Sequence, residues 1–138
     1  MRRILMAMSL AVSPIVALAQ DGDLDEAAEQ ARQACFGHDA AALVAGSPSL
    51  VVQLQGAEPS VPLAREQATA LLSDFLASGE EVETRIRAAR EVGRGRGYVE
   101  LQRKYRVAGT QNVRVQMLLL SYRRTRGTWT LVEFRVVG

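Results

Sequence analysis

The strongest constraint on the fold is a change in hydrophobic period near Gly79. Before this residue, apolar side chains recur at helical spacing, and after it they alternate with polar ones. A period of 3.6 predicts helices and a period of two predicts half-buried strands. Helices gathered before a run of strands are typical of an α+β domain, with the helices packed on one face of the sheet.

The helical part of the sequence predicts three helices and one strand. The stripe Leu24, Ala28, Ala31 and Cys35 marks the first helix, with Asp21, Asp23 and Asp25 as candidate N-caps. Asp39 is placed to cap a short helix over residues 40–44. Residues 50–54 alternate as a strand, and Pro62 suits the first turn of a third helix that ends before Gly79.

The second half predicts four strands joined by short turns. Alternating segments cover residues 82–89, 99–107, 113–119 and 128–137. Short connections require neighbouring strands to run antiparallel, so we expect a meander. The glycine- and arginine-rich segment 93–97 joins strand to strand. It is therefore interpreted as a hairpin turn rather than a phosphate-binding loop, which leads from a strand into a helix.

The first nineteen residues have the three parts of a secretory signal peptide. Two arginines precede an apolar run, and Ala17-Leu18-Ala19 is a small-residue cleavage motif. We expect residues 1–19 to be removed and residues 20–138 to form a single domain, periplasmic or extracellular. No segment of that domain is long and apolar enough to span a membrane. Cys35 is the only cysteine, so no intramolecular disulfide can form, and its place on a helical stripe predicts burial.

Charge divides this domain into two halves. Residues 20–83 hold twelve acidic residues against two arginines, whereas residues 84–138 hold thirteen basic residues against three glutamates. One interpretation is a solvated face whose arginines pair with the acidic helices of the same domain or of a partner. The other is that they bind an anionic ligand or surface. Tyr98 and Trp129 do not form an aromatic platform, so a nucleic-acid partner is not expected.

Two of the predicted strands are apolar on both faces. Residues 117–120 have no polar side chain, and residues 131–137 hold Leu131, Val132, Phe134, Val136 and Val137. Strands of this kind are usually covered on both sides. We expect the helices to cover one face and a second subunit to cover the other, which makes a homodimer. The alternative is that the chain's own termini cover that face.

The order of elements resembles the nuclear transport factor 2-like superfamily, a cystatin-like α+β cone. The resemblance is carried by residues 37–43, the strand 50–54, the helix 67–76 and the final hairpin 127–136. More narrowly, the chain resembles a family of small secreted bacterial domains of unknown function. The resemblance implies helices packed on a curved, mostly antiparallel sheet. It also implies that enzymatic members would carry Asp, His or Tyr inside the cone.

The candidate ligand pocket consists of Arg103, Tyr105 and Glu133, which the alternation places on the inner face. They would form an anion-binding or acid–base pocket, or else a structural ion pair. His38, the only histidine, is interpreted as a surface turn residue beside the capping Asp39. No catalytic residue, cofactor or metal site is predicted. The sequence favours a non-enzymatic binding or dimerisation module. The alternative is a small-ligand-binding protein or a lyase- or isomerase-like enzyme with a polar pocket in the cone.

Overall fold

The computed structural model describes the backbone of residues 19–138 and the side chains of residues 24–138. The predicted signal peptide lies outside the described residues, apart from Ala19. The elements in chain order are α1 (Ala19–Phe36), α2 (Ala40–Leu43), β1 (Ser49–Gln53), β2 (Leu63–Ala64), α3 (Arg65–Ala77), β3 (Gly79–Gly93), β4 (Arg96–Val107), β5 (Val113–Thr125) and β6 (Thr128–Val137).

The first two helices meet at a tight corner. α1 ends at Phe36, and His38 takes a left-handed backbone conformation with φ 57°. The Asp39 carboxylate accepts a hydrogen bond of 3.0 Å from the Ala42 N–H and so caps α2, as predicted. The aspartates predicted as N-caps of α1 lie inside the helix instead, because α1 already begins at Ala19.

The sheet has six strands in the order β2-β1-β6-β5-β4-β3. Strands β3 to β6 form the predicted antiparallel meander. Strand β1 runs parallel to β6, with Val52 opposite Phe134. Parallel neighbours require a long crossover connection, and α3 with strands β3 to β5 provides it between β1 and β6. The two-residue strand β2 was not predicted.

The helices pack on one face of the sheet, which we call the inner face. α1 contributes Leu24, Ala28, Ala31 and Cys35, and α3 contributes Ala68, Leu72 and Leu76. They meet apolar side chains of the three central strands, namely Val99, Leu101, Leu118, Leu120, Leu131, Phe134 and Val136. The α+β class predicted from the sequence is confirmed.

Register shifts interrupt the ladders of the long strands. In β3 they occur at Val82, at Arg87 and at Val92, and one occurs between β5 and β6 opposite Ser121 and Tyr122. An extra residue in one strand bends it and increases the local twist. It also moves the following side chains to the opposite face, and this decides which charges enter the core.

Candidate functional site

The most deeply buried polar side chain is Arg103, on the inner face of β4. Its exposed fraction is 0%. Its guanidinium forms a bidentate ion pair with Glu81 of β3: Nε lies 2.8 Å from Oε1 and 3.0 Å from Oε2, and Nη2 lies 2.5 Å from Oε1. The Glu81 side chain is only 3% exposed. Two opposite charges are therefore buried together, and neither is left uncompensated.

Other groups occupy the remaining surface of the Arg103 guanidinium. Nη2 donates to the Leu76 carbonyl at 3.0 Å, and Nη1 donates to Gln116 Oε1 at 3.2 Å. The Phe75 and Tyr105 rings lie 4.8 and 4.2 Å from the guanidinium carbon, measured to their centroids. Arg103 therefore fills this part of the interior with a side chain that is already hydrogen-bonded and stacked.

His38 connects this buried pair to the surface. Its Nε2 lies 3.0 Å from Glu81 Oε1, and its side chain is 33% exposed. The interpretation of His38 as a simple surface turn residue is therefore incomplete, because its partner lies 43 positions further along the chain. We call His38, Glu81, Arg103 and Gln116 the inner polar cluster.

The three residues of the predicted pocket do not all meet. Tyr105 is buried and stacks on Arg103, as the alternation of β4 suggests. Glu133 lies on the opposite face of the sheet. Leu131 pairs with Tyr122 and Glu133 with Ser121, which leaves Val132 as an extra residue and turns Glu133 outward. The expectation that Glu133 joins Arg103 is corrected by this bulge, and Glu81 occupies that role instead.

Two other titratable groups lie in the core. Burial raises the pKa of the Cys35 thiol to about 12, and the negative charge of Glu81 adds to the shift. Burial likewise raises the pKa of the Tyr122 hydroxyl. A fully buried thiol with a raised pKa is a poor nucleophile, because the thiolate is the reactive species. The prediction that Cys35 is buried is confirmed.

The other side of the sheet, the outer face, carries an apolar stripe along β5. The stripe consists of four β5 residues: Val113, Val115, Met117 and Leu119. Each of them pairs with an outward-facing residue of β4. Val113 and Val115 are 49% exposed. Glu100 on β4 and Arg135 on β6 lie on either side of Leu119 in the same row. We call these six residues the β5 patch.

A groove of about 500 Å³ opens on the outer face at the end nearest the β3–β4 hairpin. Three arginines line it, together with polar and apolar side chains: Arg90, Arg96, Arg123, Tyr98, Ser121, Glu133, Val92 and Val132. None of the ion pairs formed by the described side chains involves these arginines. We call this site the basic groove.

The sheet arginines that do form ion pairs use β3 rather than the helices. Arg103, Arg106 and Arg124 contact Glu81, Glu80 and Glu91 respectively. Pairing between the sheet and the acidic helices of the same domain is therefore not found among the described ion pairs. The three glutamates all belong to the edge strand β3, and two of them, Glu80 and Glu81, come from the acidic first half.

Solved structures share this architecture at low sequence identity. A ketosteroid isomerase-like protein from Erwinia carotovora atroseptica has a TM-score of 0.68 and 14% identity, over 84% of this chain and 93% of that one. A putative dehydratase from the NTF2-like family of Streptomyces avermitilis has a TM-score of 0.66 and 12% identity, over 88% and 97%. A DUF4783 family protein from Bacteroides ovatus has a TM-score of 0.63 and 10% identity, over 78% and 91%. No family model and no curated protein matches the sequence.

The chain has the nuclear transport factor 2-like fold. At these identities the likeness concerns the fold, and fold does not determine activity. In this NTF2-like cone the inner polar cluster occupies the interior beneath α3. Its acidic member is Glu81 of β3, which the sequence analysis did not single out.

Two further findings concern the part of the chain that the structure describes. Nowhere along residues 24–138 do three or more His, Cys, Asp or Glu side chains gather as they would around a metal ion. Among the helices that the structure describes, none combines the length and the hydropathy needed to cross a membrane.

Proposed function

We propose that this protein is an exported, non-enzymatic NTF2-like domain that works by self-association, as a homodimer formed through the outer face of its sheet. The observation that carries the proposal is the β5 patch. Four apolar side chains run along the central strand of the meander, and opposite charges lie one strand away on each side. An apolar surface that is contiguous and rimmed by charge is typical of an interaction site.

The arrangement of charges matches the symmetry of a dimer. Glu100 and Arg135 flank Leu119 at equal distances of one strand. A two-fold axis running along β5 between two facing sheets exchanges the two sides of that strand. Glu100 of one copy would then lie over Arg135 of the other, twice in each dimer. A two-fold interface must be complementary to itself, and this patch meets that condition.

The inner polar cluster supports a non-enzymatic role. The Glu81 carboxylate, the strongest base candidate in the cone, is bound at both oxygens by Arg103. Arg103 in turn is stacked and hydrogen-bonded on its remaining sides. A general base must have access to a substrate proton within hydrogen-bond reach. Only His38 approaches the surface from this cluster.

The alternative is an enzyme or ligand-binding protein that uses the cone, and the contact between His38 and Glu81 is the observation that favours it. A histidine held by a buried carboxylate is a possible proton acceptor. A thermal-shift screen of hydrophobic hydroxy- and keto-compounds tests this role. Stabilisation of the natural protein that disappears in His38→Gln would support the alternative, in which the cone holds a ligand beside His38.

Export is part of the proposal and rests on residues 1–19 alone. We expect cleavage after Ala19, so that the exported protein begins at Gln20. Amino-terminal sequencing of the protein from the periplasmic fraction or the culture medium tests this. A protein recovered only from the cytoplasm with Met1 or Arg2 at its start would contradict it.

The dimer is tested by mass measurement in solution. We expect light scattering to give twice the protomer mass at micromolar concentration, and Leu119→Glu to give a monomer, because it places a charge in the apolar stripe, in the row that holds Glu100 and Arg135. Val61→Glu is the matched control, since Val61 is 74% exposed and lies outside the sheet. A natural protein that stays monomeric at high micromolar concentration would contradict the proposal.

Charge reversal tests the symmetry itself. Glu100→Arg and Arg135→Glu should each weaken the dimer, by roughly tenfold or more in dissociation constant, because like charges would face each other. The double variant should recover most of the affinity, since it restores two opposite-charge contacts. If the double variant is weaker than either single one, the two-fold axis does not run along β5.

A further inference from the structure

We propose that the basic groove is a binding site for a small phosphomonoester, with the phosphate held by Arg96 and Arg123 and a hydroxylated organic part directed towards Glu133. The inference goes beyond the dimer proposal. Every lining residue belongs to one protomer, and none of the six β5-patch residues lines the groove, although Ser121 and Arg123 continue the outward row of β5 beyond Leu119. The site therefore requires a dimer that leaves this end of the sheet open. It rests on the register of four strands and on the charges that this register brings together.

The central observation is a pair of like charges placed directly opposite each other. Arg96 of β4 pairs with Arg123 of β5, and both side chains are exposed on the outer face. Side chains directly opposite in an antiparallel pair lie about 5 Å apart at their Cβ atoms, and like charges there are destabilising. Neither arginine forms an ion pair with a described side chain. A bound dianion would turn this repulsion into two favourable contacts.

The next row of the sheet supplies the rest of the site. Arg90, Tyr98, Ser121 and Glu133 follow one another across β3, β4, β5 and β6. The Arg90 guanidinium lies 5.2 Å from the centroid of the Tyr98 ring, which holds it against the wall of the groove. The site thus has two arginines in one row and a third arginine, two hydroxyls and a carboxylate in the next.

Local backbone geometry holds these rows in place. Strands β3 and β4 are joined by the two residues Arg94 and Gly95, and Gly95 has a φ of 68°. The Arg124 N–H donates to the Gly95 carbonyl at 2.8 Å, which fastens the turn to β5. The Arg124 side chain stacks over the Trp129 ring at 4.5 Å. The arginines of the groove are therefore presented by paired strands and a fastened turn.

The ligand class follows from the chemistry and the volume. Planar guanidinium groups match pairs of phosphate oxygens and form charge-assisted hydrogen bonds with them. A volume of about 500 Å³ falls in the range of small-molecule sites and exceeds what inorganic phosphate alone would fill. The Glu133 carboxylate repels a second anionic group but accepts hydrogen bonds from hydroxyls. Val92 and Val132 provide apolar contact for a carbon skeleton.

Isothermal titration calorimetry tests the site. The probes are glucose 6-phosphate, glycerol 3-phosphate, inorganic phosphate and glucose, titrated into the exported protein at low salt. We expect at least one phosphomonoester to bind more tightly than inorganic phosphate, and glucose not to bind. Affinity should fall as salt is raised, because exposed ion pairs are screened. If neither phosphomonoester binds, or if inorganic phosphate binds as tightly as both, the proposal is overturned.

Variants locate the site on the protein. Arg123→Gln and Arg96→Gln should each weaken phosphomonoester binding by roughly tenfold. Arg114→Gln is the matched control, because Arg114 is an exposed arginine near the other end of β5. Circular dichroism establishes that each variant is folded, and two independent variants guard against a folding defect in one. Equal affinity of both groove variants and the natural protein would overturn the proposal.

Vesicles separate a soluble ligand from a membrane surface. Phosphatidylglycerol vesicles should bind no more tightly than the soluble phosphomonoesters at equal phosphate concentration. Vesicle binding without any calorimetric signal from the soluble phosphomonoesters would also overturn the proposal, since a flat anionic surface would then be the partner. Leu119→Glu, titrated in parallel, shows whether the groove acts without the dimer. Binding that survives in this variant supports a site within one protomer, and loss of binding there would overturn it.

Discussion

Arginine side chains have different surroundings on the two faces of the sheet. On the inner face Arg103 is fully buried, with Glu81, Leu76 and Gln116 as hydrogen-bond partners. On the outer face Arg96 and Arg123 stand opposite each other with no described ion pair. Burial requires a charge to be matched, whereas water tolerates an unmatched one. The inner arginine is therefore a structural group, and the outer ones remain free to bind a ligand.

The largest effect should follow from leaving one charge of the buried pair without its partner. Arg103→Met should lower the free energy of unfolding by about 3–5 kcal/mol, because the buried Glu81 carboxylate loses the partner that contacts both of its oxygens. Urea unfolding measures this. Arg103→Met combined with Glu81→Leu should recover a large part of the loss.

The matched control lies on the outer face. Arg123→Met should change the unfolding free energy by no more than about 0.5 kcal/mol, as is usual for an exposed position. If Arg103→Met lowers the free energy of unfolding no more than Arg123→Met does, the buried arginine is no more important for stability than the exposed one.

The second prediction concerns the space around the inner cluster. A Cβ at Gly79 would overlap the Tyr105 ring and lie 3.0 Å from Arg103 Nη2. Gly79→Ala should therefore cost about 1–3 kcal/mol, because the ring and the guanidinium must both shift. Gly46→Ala provides the control, since a Cβ at Gly46 meets nothing within 4 Å. Similar stabilities of the two variants would show that the cluster is loosely packed.

The third prediction uses alkaline pH. The pKa of Cys35 is about 12 in the folded protein and near 9 for an ordinary thiol. The folded state thus holds a proton that the unfolded state releases, and stability falls as pH rises from about 9 towards 12. The slope contributed by this thiol is at most about 1.4 kcal/mol per pH unit.

Urea unfolding at several pH values above 8 measures that slope. Cys35→Ala is the control, because it removes the thiol and should make the loss of stability shallower. An identical pH profile in Cys35→Ala would mean that the buried thiol contributes nothing to alkaline unfolding.

The smallest effect should come from relieving the outer repulsion. Arg123→Thr removes one of two directly opposed like charges and places a β-branched residue in a strand. We expect a gain of about 0.3 kcal/mol in the unfolding free energy at low salt, decreasing as salt is added. A loss of stability that is independent of salt would contradict this prediction, because Arg123 would then make a stabilising contact that outweighs its repulsion from Arg96.

The sequence predicts the helices and strands of this fold better than it predicts how the strands pair and which face of the sheet each side chain occupies. The long periodic segments give α3 and the meander, because period alone distinguishes helix from strand. Strand β2 has two residues, too few to show a period. The parallel pairing of β1 with β6 joins segments about 80 residues apart, and no local pattern encodes it.

The candidate site was predicted in part, and β-bulges explain the rest. Arg103 and Tyr105 follow the unbroken alternation of β4 and are both buried. Glu81 was missed because the extra residue Val82 turns it inward, away from the face of Glu83. Glu133 was predicted on the wrong face because Val132 is an extra residue in β6 and turns Glu133 outward. A bulge has no composition signal in a single sequence, and one inserted residue exchanges the two faces.

The position of β3 has a consequence for the behaviour of the protein in concentrated solution. Strand β3 is fifteen residues long and, within residues 19–138, pairs with β4 alone, so its far side presents backbone groups without a strand partner among these residues. Long edge strands of this kind invite uncontrolled addition of further strands from other molecules. Three register shifts and charges of both signs interrupt this one. One of these shifts, at Val82, is the bulge that turns Glu81 towards Arg103, so the same irregularity that builds the inner polar cluster also disfavours the addition of further strands.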